Sequence, residues 1–283
     1  MRVVVLACKG RYQNDLVANL ARNFDVVGVI WHTPLQPKGD LLSRVRRYVN
    51  PLRLGEYIAA RHSIRVNTAR ARPLLDKLFP APDMTTIMAG RPAIEVANIN
   101  DPAAVALVRE LRPDVVCING TNLLREPMLN LSPVLRHGFV NLHTGLSPYS
   151  RGGNCDLFML LEGKPEYVGV TIHYIDRGID SGDIILTARP DLTAQDNYEI
   201  IEAKSFRLGN DLMVRAVQQL ALGRAQRVPQ WEEGKLFLRR TGYLYQPNHR
   251  LLVNRKLAGG MVAEYLRNRA ERDRDIRLIG EPE

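Results

Sequence analysis

Asn141, His143 and Asp180 bring an amide, an imidazole and a carboxylate to the ends of two apolar runs. When an amine attacks an acyl carbonyl, negative charge builds on the carbonyl oxygen while the nitrogen must shed a proton. Such a reaction needs a preorganised donor and a base. On an extended segment residues two apart face the same side, so Asn141 and His143 can converge on one oxygen. Asp180, if the fold sets it beside His143, is expected to favour the imidazolium and raise its pKa, or to orient a water that relays the proton. Two histidines with several aspartates also invite a metal reading. The chain has no His-Glu-x-x-His or Cys-x-x-Cys spacing, so no metal is expected.

The runs that must carry these groups, Gly138-Phe139-Val140 and Val168-Gly169-Val170-Thr171-Ile172, read as buried parallel strands. Polar residues at strand ends of an α/β sheet line a ligand crevice. The chain opens βαβ: a β-branched run at Arg2 to Ala7, a helical pattern from Asn14 to Asn23, and a second apolar run at Val26 to Trp31. From Pro34 to about Arg91 the pattern is irregular, with helices expected at Leu41 to Tyr48 and around Leu54 to Arg61 and a loop at Pro80 to Pro82. Asp101-Pro102 opens a helix that runs to Leu111. Strands at Asp114 to Ile118, 138–142, 168–174 and 183–188 then alternate with short helices at Pro127 to Asn130 and Asp156 to Leu161. This alternation predicts an α/β, Rossmann-like fold, a mostly parallel sheet with helices on both faces. Asn197 to Leu222 reads as one long amphipathic helix across the sheet. A hairpin is expected over Trp231 to Arg240, turning at Glu233-Gly234-Lys235, and a helix from Gly259 to Arg269. These elements divide into a catalytic domain, residues 1–225, and a short C-terminal extension, 226–283.

Asn141-Leu142-His143-Thr144-Gly145-Leu146-Ser147-Pro148-Tyr149-Ser150-Arg151-Gly152 resembles the Asn-x-His signature of formyltransferases that use 10-formyltetrahydrofolate. The stretch from Gly169 to Asp183 resembles the same family's second block, Gly-x-Thr-x-His followed by an Asp before Ser/Thr-Gly. The resemblance covers roughly residues 110 to 190, more weakly Met1 to Trp31. It implies catalytic roles for Asn141, His143 and Asp180, and 10-formyltetrahydrofolate as co-substrate. It also implies that the strand Asp114 to Ile118 and the turn after it, Asn119 to Leu124, cradle the pterin while the loop Asp176 to Asp180 closes the other side, with cofactor contacts from Asn122, Leu123, Leu124, His173, Ile175, Asp176 and Gly178. For His173 a purely structural hydrogen bond is the rival reading, and Asp176 and Asp183 could cap turns instead of meeting folate. Asn141 could merely tie loops together. Cys155, close to the motif, reads as a buried bystander thiol.

The chain departs from the family where many members read His-Pro-Ser-Leu-Leu-Pro and this one reads His143-Thr144-Gly145-Leu146-Ser147-Pro148. Cys8-Lys9-Gly10-Arg11-Tyr12-Gln13 lacks the Gly-rich phosphate loop of the glycinamide ribonucleotide formyltransferases, which argues against that purine substrate. Arg151 and Gly152-Gly153-Asn154, following the catalytic turn, are candidates to approach an acceptor phosphate. The acceptor implied is a small amine, foremost a nucleotide-linked amino sugar as in surface-polysaccharide assembly. The segment after about Val228 reads as too short and helical for the barrel-like RNA-binding domain of methionyl-tRNA formyltransferases, which form the alternative. A formyltetrahydrofolate hydrolase and a non-catalytic nucleic-acid-binding protein are further alternatives.

Composition bounds this reading. A chain of 283 residues with 45% apolar content supports one large domain with a small appendage. No apolar run reaches the roughly 18 residues that suggest a membrane span, and the N-terminus goes straight into a strand, so a cytoplasmic protein is expected. Three isolated cysteines argue against a disulfide framework. The net charge of +9 raises nucleic acid as a partner, but in the tail from Arg267 to Arg277 arginines alternate with acids, the pattern of a solvated helix face. A phosphate-bearing acceptor accounts for part of the excess charge elsewhere. The irregular C-terminal segment is a candidate homodimer contact.

Overall fold

The computed structural model describes residues 1–34 and 51–280. The helix expected at Leu41 to Tyr48 lies outside them. Strands β1 (Arg2–Cys8), β2 (Asp25–His32), β3 (Ala93–Val96), β4 (Val115–Asn119), β5 (Phe139–His143), β7 (Val170–Tyr174) and β8 (Ile184–Ala188) form one seven-stranded sheet, in the order β3-β2-β1-β4-β5-β7-β8. A separate two-stranded sheet joins β6 (Ser150–Gly152) to β9 (Lys235–Phe237).

Alternation along the central strands builds both faces of the core. Val3, Val5 and Ala7 of β1 pack with Leu16, Val17 and Leu20 of helix α1 (Arg11–Asn23). The same cluster takes in Leu212, Met213, Ala216 and Val217 of the long helix α5 (Tyr198–Ala221). Val4 and Leu6 point the other way, onto Ala104, Val105 and Val108 of α3 (Pro102–Leu111). A strand buried on both faces has no polar alternation, which is why these runs read as continuous apolar segments. Helices thus cover both faces of the sheet.

Four expectations need correction. The strands that carry the site are not parallel to each other: β5 runs parallel to β4 but pairs antiparallel with β7, and β7 antiparallel with β8. The irregular stretch holds the 28-residue helix α2 (Pro51–Leu78), with Pro73 in its interior. Only Ala60, Ala71 and Leu75 of its described side chains are buried, so no apolar stripe betrayed it. The hairpin at Trp231 to Arg240 is absent. Gly234 packs on the Pro148 carbonyl, where an added Cβ would lie 1.6 Å from the oxygen, and the chain continues as β9 alongside β6 in parallel. Lastly, helix α6 (Pro247–Ala258) lies where no helix was expected, and Gly260 with φ +91° separates it from α7 (Met261–Arg267), the helix expected over Gly259 to Arg269.

The C-terminal segment shares a core with the rest. Val253, Leu257, Val262 and Tyr265 pack with Tyr198 and Ile201 of α5 and with Leu157 and Leu160 of α4 (Cys155–Leu161). Ile279 and Thr187 exchange hydrogen bonds across the edge of β8. Among the described residues no helix is long and apolar enough to cross a membrane.

Candidate active site

The reversal between β5 and β7 sets the geometry. In that antiparallel register Asn141 stands opposite His173 and His143 opposite Thr171, so the four side chains share one face. The Asn141 amide donates to His173 Nε2 at 3.1 Å and to Asp180 Oδ1 at 3.3 Å. Thr171 fixes the turn after His143: its hydroxyl donates to the Gly145 carbonyl and accepts from the Ser147 N–H, both at 2.8 Å. Glycine is required at 145, because a Cβ there would lie 2.4 Å from His143 Nε2. The chain's departure at Thr144-Gly145 therefore makes room for the histidine ring.

Asp180 comes from the loop after β7 and has φ +47°, a left-handed conformation Asp tolerates better than most residues. Its Oδ2 accepts from the Gly152 N–H at 2.9 Å and lies 3.6 Å from His143 Nδ1, while Oδ1 lies 3.5 Å from His173 Nε2. The backbone is tied down by Gln230, whose Nε2 donates to the carbonyls of Asp180 at 2.8 Å and Gly182 at 3.0 Å.

Hydrogen bonding assigns the tautomers. His143 Nε2 is 3.2 Å from the Ser150 carbonyl, which can only accept, so Nε2 carries the proton and Nδ1 the lone pair. His173 Nδ1 lies 2.8 Å from the Tyr174 carbonyl and is likewise the protonated nitrogen, leaving Nε2 to accept from Asn141.

Burial pushes the His143 pKa below the ordinary histidine value, with a further push from His173, and the pull of Asp180 upward is the lesser effect. This reverses the expectation that Asp180 would raise it: the imidazole is buried, and desolvation wins. Burial also acts to raise Asp180, but the imidazolium charge that His143 and its neighbour His173 carry at acid pH, together with the Gly152 N–H, holds it well below the usual carboxylate range. The pair at rest is a neutral imidazole beside a carboxylate. Cys155 Sγ sits 3.5 Å from His143 Nε2, and burial drives its thiol pKa well up, so it supplies no thiolate.

These groups open onto a cleft of about 430 Å³. Asn141, His143 and Asp180 line it, as do Asn122, Leu123, Leu124, His173, Ile175, Asp176 and Gly178. One wall is the turn after β4. There Asn122 accepts from the Ile99 N–H at 3.1 Å and donates to Asn98 at 2.8 Å, and Gly120 with φ +73° lies against Cys8. The other wall is the loop 175–180, where Asp176 accepts from the Gly178 N–H and the Ser181 hydroxyl, both at 2.9 Å. Asp176 therefore caps its turn and lines the cleft. Asp183 is not among the cleft's lining residues and pairs with Arg227 at 3.5 Å.

Buried Asn119, the first residue of the turn expected to cradle the pterin, accepts from Gln13 at 2.7 Å and donates to the Leu142 carbonyl at 2.9 Å, bracing the floor between β4 and β5. Gln230, 50 residues from Asp180, escaped the sequence reading and gave no local signal. No group of three or more His, Cys, Asp or Glu able to hold a metal occurs among the described residues.

Residues 59–217, more than half the chain, match the family model described as Formyl transferase. Methionyl-tRNA formyltransferases from Syntrophus aciditrophicus and Symbiobacterium thermophilum are 32% identical over 140 residues and 34% identical over 165. Those alignments cover 49% and 56% of this chain and 44% and 48% of the relatives. The chain spans about half the length of the curated relatives it matches. Among solved structures, a sugar N-formyltransferase from a Shewanella species is 17% identical with a TM-score of 0.52, the match covering 89% of this chain and 86% of that one. A phosphoribosylglycinamide formyltransferase from Anaplasma phagocytophilum is 17% identical with a TM-score of 0.54, covering 83% and 98%. At that identity the structural likenesses speak for the fold alone, whereas the family model spans the site itself. The chain belongs to the formyl transferase family.

Proposed function

We propose that this protein transfers the formyl group of 10-formyltetrahydrofolate to the amine of a small acceptor, foremost a nucleotide-linked amino sugar. The observation that carries the chemistry is the pairing of a neutral His143, its Nδ1 lone pair 3.6 Å from the Asp180 carboxylate, with Asn141 in one cleft. The acceptor nitrogen attacks the formyl carbon and negative charge gathers on the formyl oxygen. Nδ1 takes the proton the nitrogen sheds, and Asp180 stabilises the imidazolium so formed. The bond from the formyl carbon to N10 then breaks, and the proton passes from His143 to N10 of the departing tetrahydrofolate. Asn141 meets the oxyanion by turning one of its two amide hydrogens from its present partners; a donor in that role typically contributes about 2.7 to 4 kcal/mol. The cleft suits the donor's flat ring, with apolar Ile118, Leu124, Ile175 and Ile179 along its walls and backbone polar groups at its turns.

The choice of a small acceptor rests on the C-terminal segment. It packs on the catalytic body and supplies Leu238 to the cleft and Glu233, Leu236 and Arg240 to the hollow beside it. Spaces of a few hundred Å³ suit a small molecule. A second reading, formylation of initiator methionyl-tRNA, is favoured by the names of the sequence relatives. Single-turnover release of tetrahydrofolate separates the two, run with nucleotide-linked amino sugars, with initiator methionyl-tRNA, and with no acceptor. Release with an amino sugar alone is expected. Release with tRNA alone selects the second reading, and equal release without acceptor replaces transfer by hydrolysis.

A further inference from the structure

A second cleft, of about 600 Å³, adjoins the first and shares Leu123, Leu124, Gly178 and Ile179 with it. Four arginines line it: Arg125, Arg151, Arg177 and Arg240. They come from four separate stretches of chain, so no local repeat explains their meeting. The facing acids are Glu126, 4.0 Å from Arg177, and Glu233, 3.7 Å from Arg151. The Glu233 side chain is 97% exposed and that of Glu126 75% exposed, so these ion pairs are screened and weak. Among the described residues the side chains of Arg125 and Arg240 make no hydrogen bond or ion pair. Arg151 donates one Nη2 hydrogen bond to the Glu233 carbonyl, and its buried Nε has no partner. Leaving a guanidinium N–H buried and unsatisfied is costly. Strand β6 sets Arg151 one residue before Gly152, whose N–H holds Asp180.

We propose that this arginine cleft receives the pyrophosphate group of the acceptor while the acceptor's amine reaches His143 through the shared wall. The proposal rests on the formyl-transfer reading. Guanidinium groups match phosphate oxygens in fork geometry, and a cleft of this size holds a small ligand. The bridging position of Gly178 and Ile179 puts donor and acceptor on opposite sides of one loop. The acceptor's recognition would then lie partly on residues 233–240, beyond the segment that matches the family model.

The test is calorimetric titration of the full chain with inorganic pyrophosphate, uridine diphosphate and thymidine diphosphate, and separately with tetrahydrofolate and with initiator tRNA. The Arg125→Gln/Arg240→Gln double variant is titrated in parallel. Both side chains are exposed, so the variant should fold. A nucleoside diphosphate is expected to bind the wild type and to bind the variant at least tenfold more weakly, with tetrahydrofolate affinity changed less than twofold. Absence of diphosphate binding in the wild type, or equal binding in the variant, overturns the arginine site and leaves formyl transfer standing if tetrahydrofolate binds. Arginine-dependent diphosphate binding without tetrahydrofolate binding supports the site and counts against formyl transfer. Arginine-dependent binding of initiator tRNA with none of the three small probes overturns the small-ligand assignment.

Discussion

Replacing Asp180 by Asn removes the charge that stabilises the imidazolium while keeping an oxygen for the Gly152 N–H. Two unit charges 3.6 Å apart, at an effective dielectric of about 20, interact by about 4.6 kcal/mol. At about 1.4 kcal/mol per decade this corresponds to roughly three orders of magnitude in turnover. The pH profile supplies the discriminating sign. Burial already holds the His143 pKa below its ordinary value, and Asp180 offsets part of that effect. Without the carboxylate the pKa drops further, so the acid limb of the kcat/KM profile, which reports protonation of free-enzyme His143, moves to lower pH as the plateau falls. General damage to the site would lower the plateau without moving the limb. The assay is tetrahydrofolate release from pH 5 to pH 9 with donor and acceptor below saturation, so that the rate reads kcat/KM, with a thermal melt to check folding. A plateau within tenfold of wild type, or an unmoved acid limb, would refute the reasoning.

Gln230→Ala should lower kcat by about ten- to thirtyfold, since two hydrogen bonds of about 1 kcal/mol each hold the Asp180 loop. Gln230→Glu, which accepts but does not donate when ionised, should fail to rescue it in the same turnover assay. Asp156 is pushed up to about 7 by burial, against the pull of the Ser205 hydroxyl and the Gly169 N–H. A carboxyl raised on folding contributes stability below its unfolded pKa of about 3.9 that is lost as pH rises toward 7. Asp156→Asn should therefore gain melting temperature relative to wild type between pH 5 and pH 8, and a constant difference across that range would contradict the assignment. Gly152 has φ +97°, and a Cβ there would lie 2.4 Å from the Phe237 carbonyl oxygen. Gly152→Ala should cost about 2 to 3 kcal/mol in chemical denaturation and displace the N–H that holds Asp180.

The parts of this molecule that could be read from sequence are those whose signal is local. Val3 to Ala7 announced a doubly buried strand, and Asn197 to Leu222 an amphipathic helix, observed as Tyr198–Ala221 with the Asn197 side chain accepting from the Ile200 N–H. Asn141 and His143 two residues apart, and Asp180 in a Gly-flanked loop, likewise needed only short windows to be singled out. Three things had no local signature. Strand direction at β5–β7 depends on the path of 26 intervening positions, Thr171 pairing with His143 rather than following in parallel. The sign of the His143 shift depends on how deeply the ring is buried, which Asp180's proximity in a motif does not reveal. The partner of β9 is β6, some 85 positions earlier, so a hairpin read from Glu233-Gly234-Lys235 was the natural local alternative.

The same long-range contacts explain why the site does not close with the catalytic motifs. Asp180 sits in a left-handed conformation on a loop whose own turn is held by Asp176, and the Asp180 carbonyl would face no partner without Gln230. The Gly152 N–H that holds the carboxylate belongs to a three-residue strand whose only strand neighbour among the described residues is β9. A strand that short does not persist alone. Phe237, buried between Phe158 and Tyr243, anchors β9, and β9 in turn anchors Gly152. Residues 226–237 thus act on the reacting groups through the main chain that carries them: the Gln230 side chain fixes where the Asp180 main chain lies, and β9 holds the strand whose Gly152 N–H fixes where its carboxylate points. Substitutions at Gln230 or Phe237 should accordingly change the rate of proton transfer at His143 more than the affinity for the donor, whose walls at Leu124 and Ile175 stand on the other side of the cleft.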